Sequence, residues 1–350
     1  MSLPTHLRNR FCFPILNQLR SRIYLSTVTS KPGTLTLAAT SADNAQPHNP
    51  PAPAPVTLPK ILQGEVIADQ APFDDTPDSP PGEPSRRIPH IGHALLFISI
   101  AVLILLVSQT LLLGLTVHDT QKLTAASQHP KLLVASMALA YVTTLIASFI
   151  FFPLLWRRPF SAGIHWNFDT ARRNIVKLIP LGLVLGWAVQ AISSLIPVPK
   201  SIPMDDFFRT QSDVWLVTAF GTLLAPLFEE ICFRGFLLPA FAIAYDWLSL
   251  PRIPAAREEW RSSIRLTTTS LVFSAIVTSI FFALLHAEQL AHAWAALFVL
   301  FCVSLVLTMV RIRTNSVACS TIVHASYNLS VFLTIFIATG GYQHLERMSR

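Results

Sequence analysis

Long apolar runs, each of a length that can cross a membrane, fill the chain from about residue 90 onward. A helix needs about 20 apolar residues to cross about 30 Å of hydrocarbon. Six runs meet this length: 94–117, 132–155, 178–196, 266–285, 293–310 and 317–339. A seventh stretch, 214–245, is interrupted by charged side chains. The pattern therefore predicts seven spans, or eight if Pro226 divides the interrupted stretch.

The fold predicted from this pattern is all-α. It consists of a polytopic transmembrane helical bundle over 89–345, preceded by a tail over 1–88. The tail is rich in Pro, Ala, Ser and Thr, a composition that buries too little apolar surface to fold, so we expect it to be disordered. Its first 42 residues carry basic but no acidic side chains. That pattern is typical of a transit peptide or of a basic cytoplasmic tail, and we favour the tail.

Composition narrows the class of protein further. Of the 350 residues, 52% are hydrophobic and only 13% are charged, against about 25% charged in a soluble domain. A soluble enzyme and a secreted disulfide scaffold are therefore excluded. The net charge of +7 does not indicate a nucleic-acid partner, because basic residues flank the spans of membrane proteins on the cytoplasmic side. The pairs Arg86–Arg87, Arg157–Arg158 and Arg172–Arg173 predict a cytoplasmic amino terminus.

Charged and polar side chains within apolar spans are costly and usually mark function. They form three clusters here, which lie at 226–235, 281–286 and 324–328. Glu230 and Arg234 are four residues apart on a helix and can neutralise each other. Glu229 points about 100° away from Glu230 and has no partner nearby in the sequence.

Each cluster alone also has a structural interpretation. Both acids could form one ion-pair knot with Arg234, His286 could be an interfacial histidine, and His324 with Asn328 could hold helices together. Their joint occurrence favours chemistry, because a carboxylate, two imidazoles and an amide can activate a water and stabilise an oxyanion. The reaction class that uses such a set without a nucleophilic Ser or Cys is hydrolysis of an acyl bond.

Three ordered motifs are similar to those of the CPBP intramembrane proteases, the CAAX prenyl protease and bacteriocin-processing family, also called abortive-infection-like. They are Glu-Glu-x-x-x-Arg at 229–234, Phe-x-x-x-His at 282–286 and His-x-x-x-Asn at 324–328. The resemblance covers about 210–335, which would be the catalytic core. It implies that Glu229 is the general base, aided by His286, and that His324 and Asn328 polarise the scissile carbonyl. It makes Glu230, Arg234 and Phe282 supporting residues.

The motifs leave the role of a metal open. Glu229, His286 and His324 are the right ligand types for a divalent metal such as zinc with one position left for water. The sequence also raises a geometric difficulty. His286 ends its span, whereas His324 lies about 12 Å into the last one, so we expect tilted or broken helices where the two meet.

The sequence therefore predicts an intramembrane endopeptidase that acts on a membrane-associated or lipidated peptide or protein, with membrane lipid as its other partner. One alternative is a non-catalytic scaffold or binding protein of the same fold. A proton-coupled transporter is a weaker alternative, because no internal repeat is evident. We expect a bacterial cytoplasmic membrane rather than an organellar one. The residues do not distinguish a prenylated tail, a bacteriocin leader or a lipoprotein as substrate.

Overall fold

The computed structural model describes residues 87–116, 130–196 and 203–349 of the chain. Of these residues, 83% are helical and none lies in a strand, which confirms the all-α prediction. The predicted disordered tail lies almost wholly outside the described residues.

The described part of the chain contains eight helices of nine or more residues. The first four are α1 (Ile91–Thr116), α2 (Pro130–Trp156), α3 (Phe168–Ser193) and α4 (Gln211–Ser249). The remaining four are α5 (Pro254–Ser262), α6 (Thr268–Leu285), α7 (Trp294–Thr314) and α8 (Val317–Ala338). All of them except α5 are long and apolar enough to cross a membrane, which gives seven spans within the described ranges.

Hydroxyl and amide side chains set where several of these helices begin. The side chains of Asn167, Thr267 and Ser316 accept hydrogen bonds from backbone N–H groups in the first turns of α3, α6 and α8, as N-caps do. Because Asn167 caps α3, this helix begins ten residues before its apolar run at residue 178. Its first turns carry Arg172 and Arg173, which suit the headgroup region.

Helix α4 continues through Pro226, so it forms one 39-residue helix rather than two spans. A wider, π-helical segment precedes each of two prolines in this helix. Phe220–Leu224 lies before Pro226, and Ile231–Leu237 lies before Pro239. The Ala225 N–H donates to the Phe220 carbonyl, five residues back. In this register the helix continues past the proline without ending.

Aromatic side chains pack α4 against α1 and α2. The ring of Phe97 stacks on Phe236 with centroids 4.4 Å apart, and Tyr141 stacks on Phe228 at 3.8 Å. Phe152 contacts Phe236 at 4.9 Å. These contacts hold the polar middle of α4 between two lipid-facing helices.

Helix α3 approaches α8 closely because two glycines face it. A Cβ atom on Gly182 would lie 2.4 Å from the Val323 carbonyl oxygen, and one on Gly186 would lie 2.8 Å from that of Tyr327. Small residues four apart allow this kind of close backbone contact between membrane helices. The pair therefore backs the part of α8 that carries His324 and Asn328.

Helices α6 and α8 run in the same direction but are offset along their axes. Phe282 lies about 21 Å from the start of α6, and His324 about 10 Å from the start of α8, yet their rings are in contact at 5.8 Å. If the two helices lie side by side with these residues at one level, α6 begins about 10 Å before α8 and ends about 16 Å short of it. This offset brings the end of α6 to the level of the middle of the neighbouring spans.

Candidate active site

The middle of α4 carries a fully buried ion pair. Arg234 Nη1 lies 2.8 Å from Glu230 Oε1, and both side chains are 0% exposed. The Nη2 group of Arg234 donates to the carbonyl and the hydroxyl of Ser304 on α7, at 2.9 and 2.8 Å. The guanidinium also lies 5.0 Å from the Phe282 ring centroid. Arg234 therefore joins α4, α6 and α7.

His324 of α8 lies between the two adjacent glutamates. Its Nδ1 atom is 3.0 Å from Glu230 Oε1, and its Nε2 atom is 3.8 Å from Glu229 Oε2. The imidazole is only 4% exposed, whereas Glu229 is 19% exposed. The polar cluster thus has a closed inner acid, Glu230, and a more accessible outer acid, Glu229.

Phe282 connects the two histidines. Its ring centroid lies 4.8 Å from that of His286 and 5.8 Å from that of His324, and the latter contact is edge-on. His286 follows the last residue of α6, and its Nδ1 atom is 2.8 Å from the Phe282 carbonyl oxygen. The offset of α6 against α8 resolves the difficulty that the sequence raised, because it brings both histidines against one ring.

Asn328 lies one turn beyond His324 and bonds to the backbone of α4. Its Nδ2 group donates to the Gly221 carbonyl oxygen at 2.6 Å. A carbonyl oxygen can only accept, so the amide nitrogen must face it. Nδ2 carries a second proton, which stays available for another acceptor.

The predicted site residues therefore lie on three helices whose polar side chains converge. Glu229, Glu230, Arg234 and His324 form one connected cluster, and Phe282 packs on it. His286 is joined to this cluster through Phe282, and its polar contact is to the Phe282 carbonyl and not to Glu229. Sequence reasoning missed Ser304 and the Gly221 carbonyl. A single serine in an apolar span gives no distinctive signal, and a backbone carbonyl gives none.

The metal set suggested by the sequence does not fit this geometry. Across the described ranges, no three or more His, Cys, Asp or Glu side chains are arranged to hold a metal ion. Glu229, His286 and His324 therefore do not form a metal-binding set in this arrangement.

Fold and site together define an integral membrane protein of apolar helices, with a buried acid, histidine and arginine cluster where α4, α6, α7 and α8 meet. The family whose model matches residues 211–330 is described as Type II CAAX prenyl endopeptidase Rce1-like. These 120 of the 350 residues match the model of an Rce1-like domain, in agreement with the CPBP family that the motifs resemble. All site residues named above lie within it. Comparisons with curated proteins and with solved structures gave no match.

Proposed function

We propose that the chain is an intramembrane endopeptidase in which Glu229 activates a water to hydrolyse a peptide bond. The observation that supports this most directly is the difference between the two neighbouring acids. Glu230 is enclosed and paired with Arg234, whereas the Glu229 carboxylate is accessible and faces His324 Nε2. The Rce1-like domain supports a protease of the CAAX type.

The space between Glu229 and His324 suits a water molecule. The 3.8 Å separation of Oε2 and Nε2 is too long for a direct hydrogen bond, but one water about 2.8 Å from each atom can bond to both. Glu229 takes a proton from this water as its oxygen attacks the scissile carbonyl carbon. The same carboxyl then gives the proton to the leaving amine as the C–N bond breaks.

His324 and Asn328 stabilise the oxyanion in this proposal. Ionised Glu230 can only accept, so His324 Nδ1 donates to it. In its cationic form the imidazole carries a proton on Nε2 as well. As the water attacks, the Nε2–H of His324 turns from the water to the developing oxyanion, and the second Nδ2–H of Asn328 is the other donor.

His286, whose ring packs against that of Phe282, is a second group that assists the water in this proposal. The Phe282 carbonyl accepts a hydrogen bond, so Nδ1 of His286 carries the proton and Nε2 has a free lone pair. A neutral imidazole in this tautomer can accept a hydrogen bond from the water. No step of the proposed reaction passes through a metal.

The test uses Glu229→Gln in purified protein in proteoliposomes, with an internally quenched farnesylated CAAX peptide as the probe. Membrane peptidomics of cells that carry either form would reveal other substrates. Loss of a general base lowers the rate by about 10² to 10⁴-fold, without loss of folded protein. The matched control is Glu259→Gln, an exposed glutamate on α5, and 1,10-phenanthroline should leave the wild-type rate unchanged. Full cleavage by Glu229→Gln in both assays would refute the proposal and favour a non-catalytic binding protein.

For the orientation, we propose that the ends of α2, α4 and α7 face the cytoplasm together with the start of α1. Basic residues predominate at this end of the bundle: Arg87, Arg157, Arg158, Arg172, Arg173, Arg252, Arg257, Arg265 and Arg313. At the opposite end the described acids outnumber the described bases: Asp205, Asp206, Asp213, Glu288 and Glu346 against Lys131, Arg209 and Arg347. This asymmetry follows the positive-inside rule. The bacterial cytoplasmic membrane stays a prediction.

A further inference from the structure

The Gly221 carbonyl, which accepts the hydrogen bond from Asn328, lies in the first π-helical segment of α4. In this segment the Ala225 N–H donates to the Phe220 carbonyl, five residues back. The next N–H in the same register, that of residue 226, would donate to the Gly221 carbonyl. Residue 226 is proline and has no N–H. The missing donor of Pro226 therefore leaves the Gly221 carbonyl free at the position where Asn328 meets it.

We propose that Pro226 is a positioning residue for Asn328. By withholding a helical donor, Pro226 leaves the Gly221 carbonyl to accept Asn328 Nδ2 at 2.6 Å. This bond fixes the orientation of the amide, because Oδ1 cannot face a carbonyl oxygen. Positioned donors matter most where charge develops in the transition state. The role in catalysis depends on the function proposed above, whereas the contact itself does not.

The packing around Gly221 limits how this contact can change. A Cβ atom on Gly221 would lie 3.0 Å from Cε2 of Phe332, one turn beyond Asn328 on α8. The carbonyl of residue 221 and the face of α8 therefore already lie in close contact. An added N–H at residue 226 would draw the Gly221 carbonyl toward the axis of α4 and away from Asn328.

The test compares two replacements that differ in one group. Pro226→Ala supplies the N–H, whereas Pro226→lactic acid, introduced as an α-hydroxy acid by nonsense suppression, places an ester oxygen there and supplies none. Selective ¹⁵N labelling of the eight asparagines gives a direct readout, with the Asn328 side-chain signal assigned by its loss in Asn328→Ala. Cleavage of the farnesylated CAAX peptide gives the second readout.

Pro226→Ala should shift the bonded Nδ2 proton of Asn328 upfield and lower kcat about tenfold with KM within twofold, as expected for one misplaced donor. Pro226→lactic acid should have the wild-type Asn328 proton shift and the wild-type kcat. The control Pro239→Ala makes the same change after the second π-helical segment and should leave the Asn328 signal in place.

An unchanged Asn328 signal in Pro226→Ala would overturn the inference. Equal disturbance by alanine and by lactic acid, or failure of both variants to fold, would also overturn it, since the ring and not the missing N–H would then be responsible. If only the alanine variant fails to fold, the inference is supported. The two proposals can fail separately. If Glu229→Gln retains activity while the Asn328 signal still changes in Pro226→Ala and not in Pro226→lactic acid, the proposed function is rejected and the positioning contact is retained.

Discussion

Adjacent acids with different surroundings define this site at the scale of single residues. The spacing of Glu230 and Arg234 suggested their pairing, because side chains four apart share a helix face. Ser304 and the Gly221 carbonyl could not be predicted in this way, since their contacts join positions 70 and 107 residues apart. Such contacts depend on how helices pack, and one sequence does not contain that information.

Glu230→Gln should destabilise the fold, in contrast to Glu229→Gln. It would leave the fully buried charge of Arg234 without its 2.8 Å partner, and breaking a buried pair costs about 3–5 kcal/mol. Unfolding of the purified protein in detergent, followed by its apparent melting temperature, measures the loss.

Glu229→Gln is the matched control, because Glu229 is more exposed and Arg234 keeps its ion pair with Glu230, so this replacement should cost less stability than Glu230→Gln. Equal stability of the two variants would contradict the assignment of a structural role to Glu230 and a catalytic role to Glu229.

At the scale of helices, apolar runs predicted the spans well and their ends poorly. The runs identified all seven spans, because bilayer thickness sets their length. The start of α3 and the continuity of α4 were not predicted. The start of α3 depends on capping by Asn167, and the continuity of α4 depends on two π-helical segments. The distribution of apolar residues indicates neither feature.

Gly182→Ala should weaken the contact between α3 and α8 and displace the site. The new Cβ atom would lie 2.4 Å from the Val323 carbonyl oxygen, so the helices must separate, at a cost of about 1–3 kcal/mol. Because Val323 precedes His324, cleavage of the CAAX peptide should fall along with the melting temperature.

Gly114→Ala on α1 is the matched control, since no atom lies within 4 Å of its added Cβ. It should be neutral or stabilising by up to about 1 kcal/mol. A Gly182→Ala variant as stable and active as this control would show that the close approach is not needed.

For the whole molecule, an odd number of spans places the start of α1 and the end of α8 on opposite sides of the membrane. The described segments contain seven spans. The gaps at 117–129 and 197–202 are shorter than the roughly 20 residues that a further span requires.

A reporter fused after Arg350 tests this topology together with the proposed orientation. Alkaline phosphatase at that position should be active and green fluorescent protein dark, since the end of α8 would face away from the cytoplasm. The same reporters placed in the loop between α4 and α6 should give the opposite pattern. A fluorescent carboxy-terminal fusion would mean an even number of spans or an inverted bundle.

The early end of α6 affects the surrounding lipid. Where α8 continues for another 16 Å or so along its axis, α6 gives way to a polar loop that contains Glu288, 89% exposed, and His292. Acyl chains beside this loop meet polar groups instead of an apolar helix, and the bilayer adjusts to such hydrophobic mismatch by thinning locally. We therefore expect headgroups and water to reach deeper next to His286 than beside the end of α8, and under the proposed function a substrate segment would leave the hydrocarbon there.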